Sequence, residues 1–327
     1  MSIELQASAA SELSRNLGDA PRRLDLEVTR TCNYKCGICS VRAESREFDH
    51  ELSLQDFKMM VKEFAELGGS ELVLTGGEPL ERGRVFIREL IRYAKGFGLT
   101  VKLYTVGYSI SSLDVAMELK SAGLDEAYVS LEGSPETDSL YKGVEGSYFK
   151  AIAAIRYFKE VGVGVSIHYT PVKFNYREIG YVISIARKLG VRVVKVIAFV
   201  AQGRGFDSQS INGMTPQENE EFGRTLEKLI ETGEQVEIDF GGSPDYPPVA
   251  KPSCTIGKRG FSVTNDGRVI PCLGLRDDLP DERFTLSSKG SASLKAIWSS
   301  PKMSQLRKAN PSCGLCQTLR KPISNAS

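Results

Sequence analysis

Thr29-Arg30-Thr31-Cys32-Asn33-Tyr34-Lys35-Cys36-Gly37-Ile38-Cys39 is the stretch on which the reading of this chain turns. It sets three cysteines in a C-x3-C-x2-C loop directly after Leu24 to Val28 (LDLEV), an apolar run that reads as a first strand. Three thiols so close together point to a metal. A cubane of four irons ordinarily takes four cysteines, so three leave one iron with a position open to an outside ligand. Zinc with three cysteines and a fourth donor is the competing reading, but the two histidines, His50 and His168, stand at no standard finger spacing from the loop.

Outward from this loop, apolar runs alternate with segments of helical period. A helical stretch from Leu54 to Leu67 is followed by ELVLT from Glu71, a helix to about Gly98, VKLYT from Val101 and a helix near Leu113. AYVSL from Ala127, a helix near Phe149, VSIHYT from Val165, a helix near Tyr176 and VRVVKVIAFV from Val191 continue the rhythm. These six βα units predict an α/β fold, a partial (βα)6 TIM-like barrel over residues 24–240, with residues 1–23 as an N-terminal extension. In such folds the chemistry collects at the C-terminal strand ends, where the cysteine loop falls.

After a last helix from Thr215 to about Thr232 the pattern breaks into GGSPDYPP, and FSVTNDGRVIPC then signals a hairpin turning at Asn265, Asp266 and Gly267. Residues 241–327 are therefore expected to form a small C-terminal domain of β-hairpin plus helix. Lys and Arg total 42 against 41 Asp and Glu, so no overall basic field exists to hold nucleic acid or an anionic membrane. No apolar run reaches the roughly twenty residues of a membrane span, and the first twenty residues lack the basic start and apolar run of a signal peptide. A cytoplasmic location is the expectation. The seven cysteines, an odd number, suit metal or redox work better than disulfides there.

C-x3-C-x2-C after strand one, with Thr29 and Asn33 beside it, resembles the radical S-adenosylmethionine (radical SAM) superfamily. The resemblance implies a four-iron cluster on Cys32, Cys36 and Cys39 whose open iron is chelated by S-adenosylmethionine; reductive cleavage then releases a 5′-deoxyadenosyl radical. Ile38 departs from the aromatic residue usual before the last cysteine. One βα unit on, Gly76, Gly77, Glu78 and Pro79 resemble the family's motif for the cofactor's amino group; paired glycines let backbone approach a ligand, and a carboxylate can pair with an ammonium. Ser130 and Glu132 at the end of strand four are similar to the family's ribose contacts. Lys142 stands where relatives often place an arginine near the cofactor carboxylate, losing the bidentate geometry. Arg204, in Gln202 to Gly205 after strand six, belongs to a loop similar to one near the adenine.

Cys254, Cys272, Cys313 and Cys316 bracket the hairpin and close the chain with a C-x2-C. This arrangement is similar to the twitch or SPASM extension and implies a second, auxiliary four-iron cluster, with a four-cysteine zinc ribbon as the alternative. Such a cluster, saturated by four thiolates, suits electron transfer, so the implied reaction is a net oxidation, either dehydrogenation or oxidative coupling. Strand residues that are candidates for substrate contact are His168, Tyr169 and Lys195, with Tyr104 beside them; their faces are not assignable from alternation alone. The expected partners are a small-molecule substrate and an electron donor such as ferredoxin or flavodoxin. A peptide delivered by a separate partner is the second expectation, and a non-catalytic zinc scaffold is the reading of another class.

Overall fold

The computed structural model describes residues 20–46, 48–232, 236–241, 259–275 and 293–308. The βα rhythm appears as β1 (Arg23–Thr29), α1 (Leu54–Glu66), β2 (Glu71–Gly76), α2 (Arg84–Lys95), β3 (Thr100–Thr105), α3 (Leu113–Ala122) and β4 (Glu126–Ser130). It continues through α4 (Pro135–Lys142), α5 (Ser147–Glu160), β5 (Gly164–Tyr169), α6 (Ile179–Lys188) and β6 (Val193–Ile197). Two short helices, α7 (Arg204–Asp207) and α8 (Gln209–Asn212), precede α9 (Pro216–Glu231) and β7 (Glu237–Gly241). The C-terminal part contributes β8 (Gly260–Val263), β9 (Val269–Ile270), α10 (Leu294–Trp298) and α11 (Pro301–Lys308).

One nine-stranded sheet runs in the order β7-β6-β5-β4-β3-β2-β1-β8-β9, and it does not close on itself. Every pairing is parallel except that of β8 with β9. The partial barrel is thus as expected, with two additions. β7 is a seventh strand beside β6, in a segment whose short EIDFG run carries too little signal to separate it from a loop. The hairpin also joins the main sheet, because β8 pairs with β1 from Arg23↔Gly260 to Leu26↔Val263. That pairing covers an edge that would otherwise present unpaired backbone groups. Gly260 permits it: a Cβ there would overlap the backbone of Arg23.

Alternation sorts the strands into two layers. On β5, Ile167 and Tyr169 enter the core beneath the helices, whereas Ser166 and His168 face the barrel interior. Phe57, Phe64, Phe158 and Phe222 fill that outer core from the helices, and Phe261 on β8 packs edge-on to Phe64 and against Trp298 on α10. At the N-terminal strand ends the interior is closed by ion pairs: Arg23 with Asp25 (2.8 Å) and Glu71 (3.4 Å), and Lys102 with Glu71 (2.8 Å) and Glu126 (3.3 Å). The barrel mouth is therefore the end left for a ligand.

Candidate functional site

A cavity of about 380 Å³ opens at the C-terminal strand ends, within the size range of small-ligand sites. Cys32, Cys36 and Cys39 all line it. Their loop is shaped by hydrogen bonds from Tyr34 N to Cys32 Sγ (3.4 Å), from Ala43 N to Cys39 Sγ (3.3 Å) and from Cys39 N to the Cys36 carbonyl (3.2 Å). Burial pushes the Cys32 thiol up to about 12 and raises that of Cys36 further, so both would be protonated until a metal replaces the proton. Among the described residues no three His, Cys, Asp or Glu side chains converge tightly enough to cage a single ion. The three cysteines of the loop nevertheless share one cavity wall.

The glycine pair after β2 has a steric reason to exist. A Cβ at Gly76 would overlap the carbonyl oxygen of Thr29, and one at Gly77 that of Thr31. Gly77 N and Glu78 N donate to those same two carbonyls (2.8 and 2.9 Å). The strand end is thereby laced to the start of the cysteine loop, with both glycines lining the cavity. Glu78 and Pro79 are a correction to the sequence reading: neither lines the cavity. The Glu78 carboxylate is fully buried and accepts from Thr105 Oγ1 (2.8 Å), Val106 N (2.8 Å) and, more weakly, Leu80 N (3.5 Å). Burial pushes it up to about 7. Pro79 begins a buried single turn, Pro79–Arg82. Glu78 therefore braces β2 against β3 from behind the cavity wall.

Ser130, Glu132 and Lys142 come together on the cavity wall. Lys142 is buried and donates to the Ser130 carbonyl (2.8 Å) and to Asp138 Oδ2 (2.9 Å), which leaves one of its three protons for a ligand. Asp138 is itself fixed by Glu132 N (2.9 Å) and the Ser147 hydroxyl (2.5 Å). Glu132 accepts from Thr170 N (2.9 Å), and burial pushes its carboxyl up to about 8 against the opposing pull of Lys142.

Arg204 also lines the cavity, yet most of its guanidinium is engaged with protein. Its Nε donates to the Cys36 carbonyl (2.9 Å) and one terminal nitrogen to the Ala43 carbonyl (2.6 Å), while its backbone N–H meets the Cys39 carbonyl (2.9 Å). It positions the cysteine loop. His168 lines the cavity, its ring edge-on to Tyr104 (5.3 Å between centroids), and its Nδ1 has no protein partner. Burial, with Lys195 and Lys142 adding to it, lowers His168 to about 4, so the imidazole is neutral near pH 7. Tyr169 and Lys195 are further corrections. Tyr169 lies in the helix-facing core with its hydroxyl donating to the Asn175 carbonyl (2.5 Å), and Lys195 is ion-paired with Asp239 of β7 and does not line the cavity.

Sequence reasoning missed several contributors. Glu51 accepts from Thr29 Oγ1 (2.9 Å), Arg30 N (2.8 Å), Arg82 and Asn265 Nδ2 (3.4 Å), joining the cysteine loop, the turn after the glycines and the hairpin. No local motif announces it. Arg23 and Asp25 reach the cavity as part of the interior layer, a placement that needs the face of β1 to be known. Leu273 and Gly274, immediately after Cys272, line the cavity too, and Gly274 N donates to Cys272 Sγ (3.3 Å). Cys254, Cys313 and Cys316 lie outside the described residues.

The residues present fit the implied cofactors: three thiols face a cavity that also holds a cation and carboxylates for an amino-acid moiety. Within its walls Tyr34 Oη and the Gln202 amide are buried polar atoms without a protein partner. Fold and site together define a partial-barrel protein built to hold a cysteine-ligated cluster and a small polar ligand at its mouth.

A radical SAM superfamily model matches residues 26–186, and an iron–sulfur cluster-binding SPASM model matches residues 254–318. The chain belongs to the radical SAM superfamily, with a SPASM-type C-terminal part. Among curated relatives it is similar to the AdoMet-dependent heme synthase of Oleidesulfovibrio alaskensis, 31% identical over 60% of this chain and 51% of that protein. It is also similar to the PqqA peptide cyclase of Rhizobium meliloti, 27% identical over 90% of this chain and 78% of that protein. The match thus spans about half the length of the heme synthases. Among solved structures it is similar in fold to Streptococcus suis SuiB bound to precursor peptide SuiA, with a TM-score of 0.71 and 16% identity over 93% of this chain and 71% of that one. Native anSMEcpe with bound AdoMet gives a TM-score of 0.70 and 19% identity over 92% of this chain and 87% of that one. Among the described residues no helix is long and apolar enough to cross a membrane.

Proposed function

We propose that this radical SAM enzyme completes a net two-electron oxidation of a substrate held in the cavity, by dehydrogenation or oxidative coupling. The observation that carries the reading is that Leu273 and Gly274, next to Cys272, line the same cavity as Cys32, Cys36 and Cys39. An auxiliary cluster on Cys254, Cys272, Cys313 and Cys316 would then adjoin the substrate. When bound, the first cluster and S-adenosylmethionine supply a 5′-deoxyadenosyl radical able to take a hydrogen atom from an unactivated C–H bond.

The chain's own residues do the rest. Cys32, Cys36 and Cys39 hold the first cluster, Arg204 and Glu51 hold the loop that carries them, and the backbone at Gly76 and Gly77 borders the amino-acid moiety. Lys142 offers its remaining proton to a carboxylate, and Ser130 and Glu132 offer acceptors to a diol. After the hydrogen atom is removed, a net loss of two hydrogens leaves one electron, which a cluster held by Cys254, Cys272, Cys313 and Cys316 would take up, and one proton for a base on the cavity wall. His168, with Nδ1 unengaged on the cavity wall, is placed to take that proton in passing and hand it on, since burial and the two lysines keep its imidazole from holding the charge.

Similarity to heme synthases, whose product is not a peptide, supports a small-molecule substrate. A peptide side chain is the second reading, favoured by the wider coverage of the PqqA peptide cyclases and by a fold neighbour solved with a precursor peptide. The test uses anaerobically reconstituted protein. Iron and sulfide are counted, and 5′-deoxyadenosine is assayed, for wild type and for the Cys32→Ala, Cys36→Ala, Cys39→Ala triple variant. About eight irons falling to about four with loss of product is the expected result. About four in wild type and none in the variant would remove the auxiliary cluster, and the oxidation with it.

A further inference from the structure

Reductive cleavage consumes an electron that comes from outside the chain, and the cysteine loop reaches the surface at Gly37. This residue, between Cys36 and Cys39, is exposed, and a Cβ there would meet only the Asn212 side chain, at 3.8 Å. Several segments gather around that apex. Ser208 Oγ donates to the Gly37 carbonyl (2.9 Å), which sets α7 and α8 against the loop. Lys173 N donates to the Asn212 carbonyl (3.0 Å), adding the segment after β5, and Lys35 N donates to the Lys142 carbonyl (3.0 Å), adding the end of α4. Tyr108, edge-on to Tyr34 of the loop and beneath the Lys150 ammonium, adds the start of α5.

These segments present apolar side chains to solvent. Leu140 on α4, Phe206 on α7 and Ile211 on α8 are 72%, 61% and 70% exposed, and Phe174, packed against Tyr141, is 39% exposed. Large apolar groups gathered around one loop mark an interaction surface, whereas scattered ones do not. Lys35, Lys150 and Lys173 stand among them, exposed and without a salt bridge among the described residues. Of the nearby carboxylates, Asp207 is taken by Arg42 (2.6 and 3.0 Å) and Glu218 by the N-terminal cap of α9, while Glu145 is free, so the face carries a modest positive surplus. An apolar patch with a positive rim matches an acidic partner, and a small interface suits a carrier that must leave once it has given up its electron. We infer that this face, with Gly37 at its centre, is the docking surface for an acidic one-electron carrier protein. The carrier is oxidised by one electron and the site behind Gly37 is reduced by one. This rests on the cofactor reading above and assigns the outer face of the cysteine loop, where that reading assigns the inner one.

The experiment measures binding of an acidic flavodoxin to the anaerobic, cluster-loaded full chain by titration calorimetry at low and at high salt. Formation of 5′-deoxyadenosine is followed with electrons from the same flavodoxin, chemically reduced, and from dithionite, which needs no docking surface. The proteins are wild type, a Lys150→Glu, Lys173→Glu double variant, Ile211→Asp and, as a control on the last turn of α6, Lys188→Glu, each checked for iron content. The double variant should bind flavodoxin about tenfold more weakly and with a shallower salt dependence. Ile211→Asp should bind about fivefold more weakly. Flavodoxin-driven product formation should fall in step, while iron content and dithionite-driven formation stay at the wild-type level and the control matches wild type throughout. Unchanged binding and flavodoxin-driven rates in the variants, or a wild type active with dithionite that does not bind the carrier, would overturn the docking surface and leave the cofactor reading intact. An iron-loaded wild type that forms no 5′-deoxyadenosine with either reductant would overturn both.

Discussion

At the residue scale the site depends on groups whose ionisation is set by burial. His168 is held down to about 4 from an ordinary 6.5 because the cavity wall desolvates it and two lysines oppose its charge. The folded state therefore binds fewer protons than the unfolded chain between those values, so this residue's contribution to stability rises with pH across that window and is complete above it. Nuclear magnetic resonance of ring-labelled protein should show His168 neutral at pH 6, and Asn in its place should flatten stability across the same window; a His168 midpoint near 6.5 would contradict the burial seen here. Lys142 makes the opposite case, a cation kept buried by Asp138 and the Ser130 carbonyl. Lys142→Met should cost about 3–5 kcal/mol, because it leaves the Asp138 carboxylate buried without its cation. Urea unfolding of the variant checks this, and a loss under about 1 kcal/mol would mean that water reaches Asp138.

At the element scale the cysteine loop is shaped by its neighbours more than by its own sequence. Gly76 and Gly77 admit it from β2, Arg204 grips it from the turn after β6, and Glu51 ties its first residues to the hairpin. Gly77→Ala should push the strand end away from Thr31 and halve the iron bound after reconstitution, while β2 itself persists. Iron counting with circular dichroism separates the two effects, and full iron in the variant would show that the loop can shift to accept a methyl group. Arg204→Leu removes two hydrogen bonds to the loop carbonyls of Cys36 and Ala43, so a chelator should strip iron from this variant faster than from wild type. The C-x3-C-x2-C spacing was legible as a metal site because local thiol density is a local property. The surroundings of Glu78 were not legible for a related reason: its adjacency to the glycines is local, whereas its partners Thr105 and Val106 come from the next βα unit.

For the whole molecule, the consequential fact is that the C-terminal hairpin is a strand partner of β1, and so continues the sheet that carries the first cysteines. Gly260→Val should force β8 off β1, uncover Phe64 and Phe261, and lower the midpoint of thermal unfolding of the entire chain; two independent unfolding transitions in wild type would argue against that coupling. The sequence by itself determined the α/β rhythm, the partial barrel and its open end. It also determined the cysteine loop and glycine pair that mark a radical SAM enzyme, since periodicity, glycine pairs and thiol spacing are written within single elements. Only the tertiary structure decided which strand residues face the cavity, setting His168 inside, Tyr169 in the core and Lys195 beside Asp239. The union of β8 with β1 and the arrival of Leu273, Gly274 and the stranded Gln202 amide at one cavity were likewise settled there, because long-range pairing and the choice of sheet face are fixed by packing between segments far apart in the chain.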